Sequence, residues 1–379
     1  MAHPLWQIRP DTTYLNHGSF GPPSLPVIEA RRQWQEELDQ QPMDVFVRRQ
    51  EAALLAARQR LASWLGTSAD NLALIDNATW AMNVVAESVV LGEGDNVVLS
   101  DHEYGAVERI WQRACLRSSA ELKTAVLPSR FEDPDEVVDA VLAACDERTR
   151  LIVVSHITSP TAVTLPIARI CERARQQGIA VCVDGPHAPA QIPLDLDQLG
   201  CDFYTASCHK WLSASFGSGF LYVHPQQQTL IRPLLLSWGK LPPEEPSKWC
   251  DDFLWLGTRD ISALLTIPVA IDVLEEIGLE YFRQQGHQLA CFARQLLVEK
   301  LGAHCLVADD PCWYSNMARV ELPVQDASEM QQALWDQHRI EVPVVHWQDR
   351  WFIRVSCYLY NEQAEVEQLV EAVAGLLSR

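Results

Sequence analysis

Residues 151–187 read LIVVSHITSPTAVTLPIARICERARQQGIAVCVDGPH, and this stretch decides the fold. Leu151 to Val154 is apolar at every position rather than at alternate ones, which marks a strand covered on both faces. Pro166 to Gln177 reads as a helix, and Ile179 to Val183 as a second strand that runs directly into Asp184. Strand, helix and strand in this order, with buried strands, predict an α/β layered sandwich around a mainly parallel sheet.

The same rhythm extends outward in both directions. Upstream come a helix over Leu54–Leu65, a strand over Asn71–Ile75, a helix from about Thr79, and a strand over Asn96–Ser100. A helix over Ala106–Cys115, a strand over Leu122–Leu127 and a helix over Asp135–Ala144 follow, and downstream stands the strand Phe203–Ser207. After Arg259 the texture changes to a long helical stretch, Ser262–Leu301. Then come strand-like Ala318–Leu322, a helix over Ala327–His338, a strand over Trp351–Ser356 and a last helix from Glu362. A chain of 379 residues exceeds the usual single core. We therefore expect an N-terminal segment (1–25) packed on the main body, a large α/β domain (26–265) and a small α+β C-terminal domain (266–379).

Composition narrows the function. A formal net charge of −20 opposes nucleic-acid binding, which needs clustered Lys and Arg, and equally opposes an anionic membrane surface. No apolar run approaches the roughly 20 residues of a membrane-spanning helix. Met1 to Pro10 lacks the apolar core of a secretion signal, and the 11 cysteines are scattered without a CxxC pair. Reduced thiols in a cytoplasmic protein without a structural metal are the expectation.

Three strand ends carry polar residues that a sheet does not need: Asp76-Asn77-Ala78-Thr79, Val183-Asp184-Gly185-Pro186-His187 and Ser207-Cys208-His209-Lys210-Trp211. Taken singly, each has an ordinary reading as a helix cap, a turn residue or a solvated charge. Taken together they fit one cofactor. The Ala78 and Thr79 amides and the Thr79 hydroxyl suit a phosphate at a helix N-terminus. Asp184 suits a protonated pyridine nitrogen, and Lys210, beside Ser207 and His209, suits an amine that captures an aldehyde.

These residues resemble the class V aminotransferase family of fold-type I pyridoxal-phosphate enzymes. The likeness covers nearly the whole chain, through His156-Ile157-Thr158-Ser159-Pro160-Thr161, Gly257-Thr258-Arg259 and Arg354-Val355-Ser356. Asn16-His17-Gly18-Ser19-Phe20-Gly21, Asp101-His102-Glu103-Tyr104-Gly105 and Trp255-Leu256-Gly257-Thr258-Arg259 are similar to its isopenicillin N epimerase-like branch. The resemblance implies a large three-layer α/β/α domain plus a small domain, with pyridoxal 5′-phosphate as a Schiff base on Lys210. It makes Asp184 the partner of the pyridine nitrogen and places the phosphate on Ala78, Thr79, Ser207 and His209. Thr258 is implied to reach the phosphate of a neighbouring subunit, hence a homodimer with a shared site. Tyr104 is implied to stack on the cofactor, His187 to face its 3-hydroxyl where many relatives have Gln, and Arg354 to clamp a substrate carboxylate. Asn16 and His17 are assigned to the substrate side of the mouth, with loop capping as the alternative for His17.

The implied chemistry acts at Cα of an amino-acid-like small molecule, through a Lys210 aldimine and a quinonoid. Epimerisation is preferred, with transamination or C–S and β-elimination as the alternatives. A persulfide-relay desulfurase is disfavoured, because Ile340 stands where alignment on Pro343 and Arg354 would put its cysteine. A nicotinamide dehydrogenase lacks its G-x-G-x-x-G after the first strand. Intact Lys210, Asp184 and Arg354 oppose a non-catalytic binding protein.

Overall fold

The computed structural model describes residues 4–378. Strands β1 (Thr13–Tyr14), β2 (Leu72–Ile75), β3 (Asn96–Ser100), β4 (Glu121–Ala125), β5 (Thr149–Ser155), β6 (Ala180–Asp184), β7 (Phe203–Ser207) and β8 (Gly219–Val223) come first along the chain. β9 (Met317–Glu321), β10 (Ile340–Glu341), β11 (Val344–Trp347) and β12 (Arg350–Ser356) follow. The central sheet has the order β2-β8-β7-β6-β5-β3-β4. Its neighbours are parallel except at β8, which runs antiparallel to both β2 and β7. The fold is thus the expected α/β sandwich with a mainly parallel sheet, and β8 is an addition that the sequence reading did not contain.

The unbroken apolar strands have the physical meaning their sequence suggests. Leu151 and Val153 of β5 join one buried cluster with Met82, Val107 and Trp111 from the helices Ala78–Ser88 and Gly105–Ser118. Ile152 and Val154, pointing the other way, join a second cluster with Ile170 and Ala174 from the helix Ile167–Gln176. Alternate side chains enter opposite layers, so no position from Leu151 to Val154 can be polar without cost. Below the C-terminal helices lies a second, antiparallel sheet, β11-β12-β9.

The helical stretch expected over Ser262–Leu301 is three helices, Ser262–Leu265, Ile267–Ile277 and Leu279–Leu301. Gly278, at φ +92, makes the second break. The helix Ile267–Ile277 packs against the large α/β part, where Arg60 bonds Asp272 and Glu275. The N-terminal segment is fastened to the C-terminal part. β1 pairs with β10, Asn16 bridges to Ser356, and Trp6 packs edge-on against Tyr358.

Parallel strands β5, β6 and β7 end on one edge, where Ser155 pairs with Asp184 and Asp184 with Thr205. Open α/β sheets bind ligands beyond this edge.

Candidate active site

A cavity of about 460 Å³ opens at that edge. Its lining brings together Ala78, Thr79, Tyr104, Asp184, His187, Ser207, His209, Lys210 and Arg354, all assigned to the site from sequence.

One end suits a phosphate. Asn77 caps the helix Ala78–Ser88, its Oδ1 accepting from the Trp80 amide at 2.9 Å, and the Ala78 amide donates to Ser207 Oγ at 3.0 Å. The Thr79 amide of the same first turn has no partner among the described residues, so a free donor remains at the positive end of the helix dipole. His209 Nδ1 is likewise buried without a partner. Two unengaged polar groups at one end of a cavity suit an anion.

The floor is Asp184, at the end of β6. It is buried, accepts from Thr205 Oγ1 at 3.0 Å, and has its carboxyl pushed up by that burial. A cationic ring nitrogen beside it would reverse this shift, because an opposite charge stabilises the carboxylate. Gly185 must lack a side chain here, since a Cβ would stand 2.1 Å from the Tyr204 ring. Behind Asp184, Glu103 is a half-buried carboxyl pushed up to about 7 by desolvation. It accepts from Ser100 Oγ at 2.5 Å and from the amide and Oγ of Ser155 at 3.0 and 2.6 Å.

Lys210 follows β7. Burial, and then the charge of Arg354, push its ammonium down, while Asp184 pulls the other way. Its Nζ lies 3.1 Å from His187 Nε2, and the Trp211 indole N–H donates to His187 Nδ1 at 3.2 Å. Gly21 passes close behind, where a Cβ would meet the Lys210 carbonyl at 2.3 Å.

The opposite end is cationic. Arg354 on β12 is buried and donates to Ser159 O and Oγ at 2.6 and 3.2 Å and to Ser19 Oγ at 2.8 Å. Burial lowers it only to about 10, so it keeps its charge at neutral pH, and its Nε has no partner. Tyr104, half exposed, stands at the mouth as the cap of the helix Gly105–Ser118.

Three sequence assignments fall outside the cavity. His17 is stacked on Tyr358 at 3.6 Å between centroids, and its two nitrogens meet Tyr360 Oη and the Lys210 carbonyl at 2.8 and 3.0 Å. With ring face and both nitrogens engaged it ties the N-terminal segment down, which is the capping alternative rather than a substrate contact. Asn16 donates its Nδ2 to Glu341 Oε1 at 3.2 Å, and its buried Oδ1 has no partner among the described residues. The residues of this segment that do line the cavity are Gly18, Ser19 and Phe20, one step further on. Thr258 is exposed and away from its own chain's cavity, while the adjacent Arg259 pairs with Asp76. Sequence reading also passed over Ser159 as an Arg354 partner, although the quoted motif 156–161 contains it.

The donors present fit pyridoxal 5′-phosphate. There is a helix N-terminus with a bare amide, a carboxylate for the ring nitrogen, an amine for the aldehyde, and a separate cation for a substrate carboxylate. Among the described residues no cluster of His, Cys, Asp and Glu is arranged for a metal.

Residues 26–369 match the family model described as Aminotransferase class-V. Isopenicillin N epimerase of Streptomyces clavuligerus is 37% identical over 379 residues, covering 97% of this chain and 95% of the relative. A putative L-cysteine desulfhydrase of Oryza sativa subsp. japonica is 27% identical, over 96% of this chain and 83% of its own. Among solved structures, a mutant of C-DES with glycine covalently linked to its PLP cofactor superposes with a TM-score of 0.86 at 23% identity. It covers 96% of this chain and 97% of that one, a likeness of fold.

Proposed function

Because the chain belongs to the class-V aminotransferase family, we propose that it holds pyridoxal 5′-phosphate at Lys210 and inverts the α-carbon of an amino-acid-like substrate, as an isopenicillin N epimerase-like enzyme. The observation that carries this reading is a single cavity lined by Lys210, Asp184 and Arg354, in a chain 37% identical along 97% of its length to an epimerase. When bound, the cofactor supplies an aldehyde that captures amines and a ring that draws electrons from the substrate α-carbon.

The chain's own groups do the rest. The Thr79 amide, Ser207 and His209 bind the phosphate. Asp184, oriented by Thr205, holds a proton on the ring nitrogen. Lys210 Nζ, which burial biases toward the free amine, is the group that takes or returns the α-proton. Arg354 fixes the substrate carboxylate through its planar fork, its own orientation set by Ser19 and Ser159. Clamping the carboxylate on one side and the amine on the other leaves the α-hydrogen as the mobile substituent.

We further propose a cytoplasmic homodimer. Thr258, exposed on its own chain, and the exposed Leu234, Leu235, Leu236 and Trp238 suit burial against a second copy. All 11 cysteines are free, which suits a reducing compartment.

A second reading, elimination at Cβ, is favoured by the desulfhydrase relative. A persulfide relay is not, since Cys357 and Cys208 are both buried and their thiols pushed up by desolvation. Incubation with isopenicillin N and a panel of L-amino acids, followed by chiral chromatography and assays for keto acids and sulfide, separates the two. Inverted substrate with no keto acid supports epimerisation. Pyruvate with sulfide from cysteine, without inversion, would replace it by elimination.

A further inference from the structure

His187 is the ring between Lys210 and Trp211, and the two contacts make unequal demands. An indole N–H donates and never accepts. Trp211 Nε1 lies 3.2 Å from His187 Nδ1, so that nitrogen must offer its lone pair. A neutral imidazole has one donor and one acceptor, and with Nδ1 accepting, the proton stands on Nε2. Nε2 is the atom 3.1 Å from Lys210 Nζ.

We propose that Trp211 is a positioning residue that fixes His187 as the Nε2–H tautomer, making the ring a hydrogen-bond donor toward Lys210 Nζ and the cavity. The inference rests on Lys210 as the cofactor-bearing residue and goes beyond it. An ammonium at Lys210 has donors only, so it would leave two donors competing for a ring with one acceptor. The arrangement therefore favours Lys210 nitrogen without its extra proton, the state in which it is nucleophilic.

The surroundings keep the device in place. His187 and Trp211 are both buried, at 1% and 0% exposure, so no water competes for either ring nitrogen from bulk solvent. The Gln191 amide holds the His187 carbonyl at 2.7 Å, and the Trp211 ring packs against His17 at 5.1 Å between centroids. Burial opposes an imidazolium most, and the charge of Arg354 opposes it further. A doubly protonated ring, which would need no tautomer choice, is thereby disfavoured.

Two measurements test the inference. In holoenzyme labelled with ¹⁵N-histidine, the His187 signals should show a protonated Nε2 and an unprotonated Nδ1. This readout needs no variant and does not depend on turnover. In Trp211→Phe, which keeps an aromatic ring and removes the N–H, the midpoint pH of the bound cofactor's visible band should rise by about one unit, tenfold in that protonation equilibrium. In a His187→Leu background, where there is no ring proton to place, the same change should leave the midpoint where it was. A protonated Nδ1 in the unaltered enzyme overturns the proposal, as does an equal shift from Trp211→Phe with or without His187. Protein that carries no cofactor yet shows the Nε2–H ring would sink the cofactor assignment and leave the tautomer assignment standing.

Discussion

The two ends of the cavity are built differently. The end that suits the cofactor comes from consecutive strand ends of one sheet, with Asp184 closing β6 and Ser207 closing β7 two strands from β5. Its geometry follows from strand register, which a buried parallel sheet fixes within one residue. The end that suits the substrate is gathered from three distant parts of the chain: Ser19 in the N-terminal segment, Ser159 after β5, and Arg354 on the small sheet. The first is a property of one rigid layer. The second exists only when the N-terminal segment and the C-terminal part dock together. On the proposed function, shared chemistry belongs to the rigid end, and choice of substrate to the assembled end.

If that division is right, damage to the rigid end lowers turnover and damage to the assembled end lowers affinity. The largest effect expected is from Asp184→Asn. It removes a charge-assisted hydrogen bond in a buried site, worth roughly 1.5–3 kcal/mol, or about tenfold to over a hundredfold in rate. Steady-state kinetics should show the loss in kcat with KM little changed. An unaltered kcat would reduce Asp184 to a turn residue.

Arg354→Lys keeps the charge and loses the fork. KM for the substrate should rise by about tenfold, roughly the 1.5 kcal/mol at the low end for one charged hydrogen bond. The cofactor's visible spectrum should be unchanged. A normal KM would mean that the substrate presents no carboxylate to this end.

The smallest kinetic effect, and the sharpest test of the boundary, is His17. His17→Gln should lower Tm while leaving KM within about twofold, because the imidazole is spent on Tyr360 and Lys210. Burial pushes its pKa from 6.5 down to about 3. Between those values the unfolded chain binds a proton that the folded chain does not, so stability is full above 6.5 and falls as pH drops toward 3. The variant should lose that part of the acid sensitivity. A large rise in KM would return His17 to the substrate side.

The same division explains what could be read from the sequence. β5, β6 and the strand ends at Asp184 and Lys210 were legible because burial on both faces forces unbroken apolar runs that stop where polar residues are needed. β8 was not, although Gly219–Val223 is apolar, because it returns antiparallel and breaks the strand–helix alternation that carries the reading. The break at Gly278 hides inside continuous helical periodicity. At the substrate end, the motif 16–21 was found, but nothing local distinguishes His17, which packs inward, from Ser19, which reaches Arg354. That distinction is made by Tyr358, Tyr360 and Arg354, more than 300 residues away. Domain docking leaves no short-range trace.

The central claim is that the rigid end holds pyridoxal phosphate through Lys210. Borohydride reduction of the purified protein followed by peptide mass spectrometry tests it most directly. The expected result is a single peptide carrying the reduced cofactor on Lys210, with the visible band abolished. Cofactor bound in stoichiometric amount but found on another lysine, or released unreduced, would contradict it.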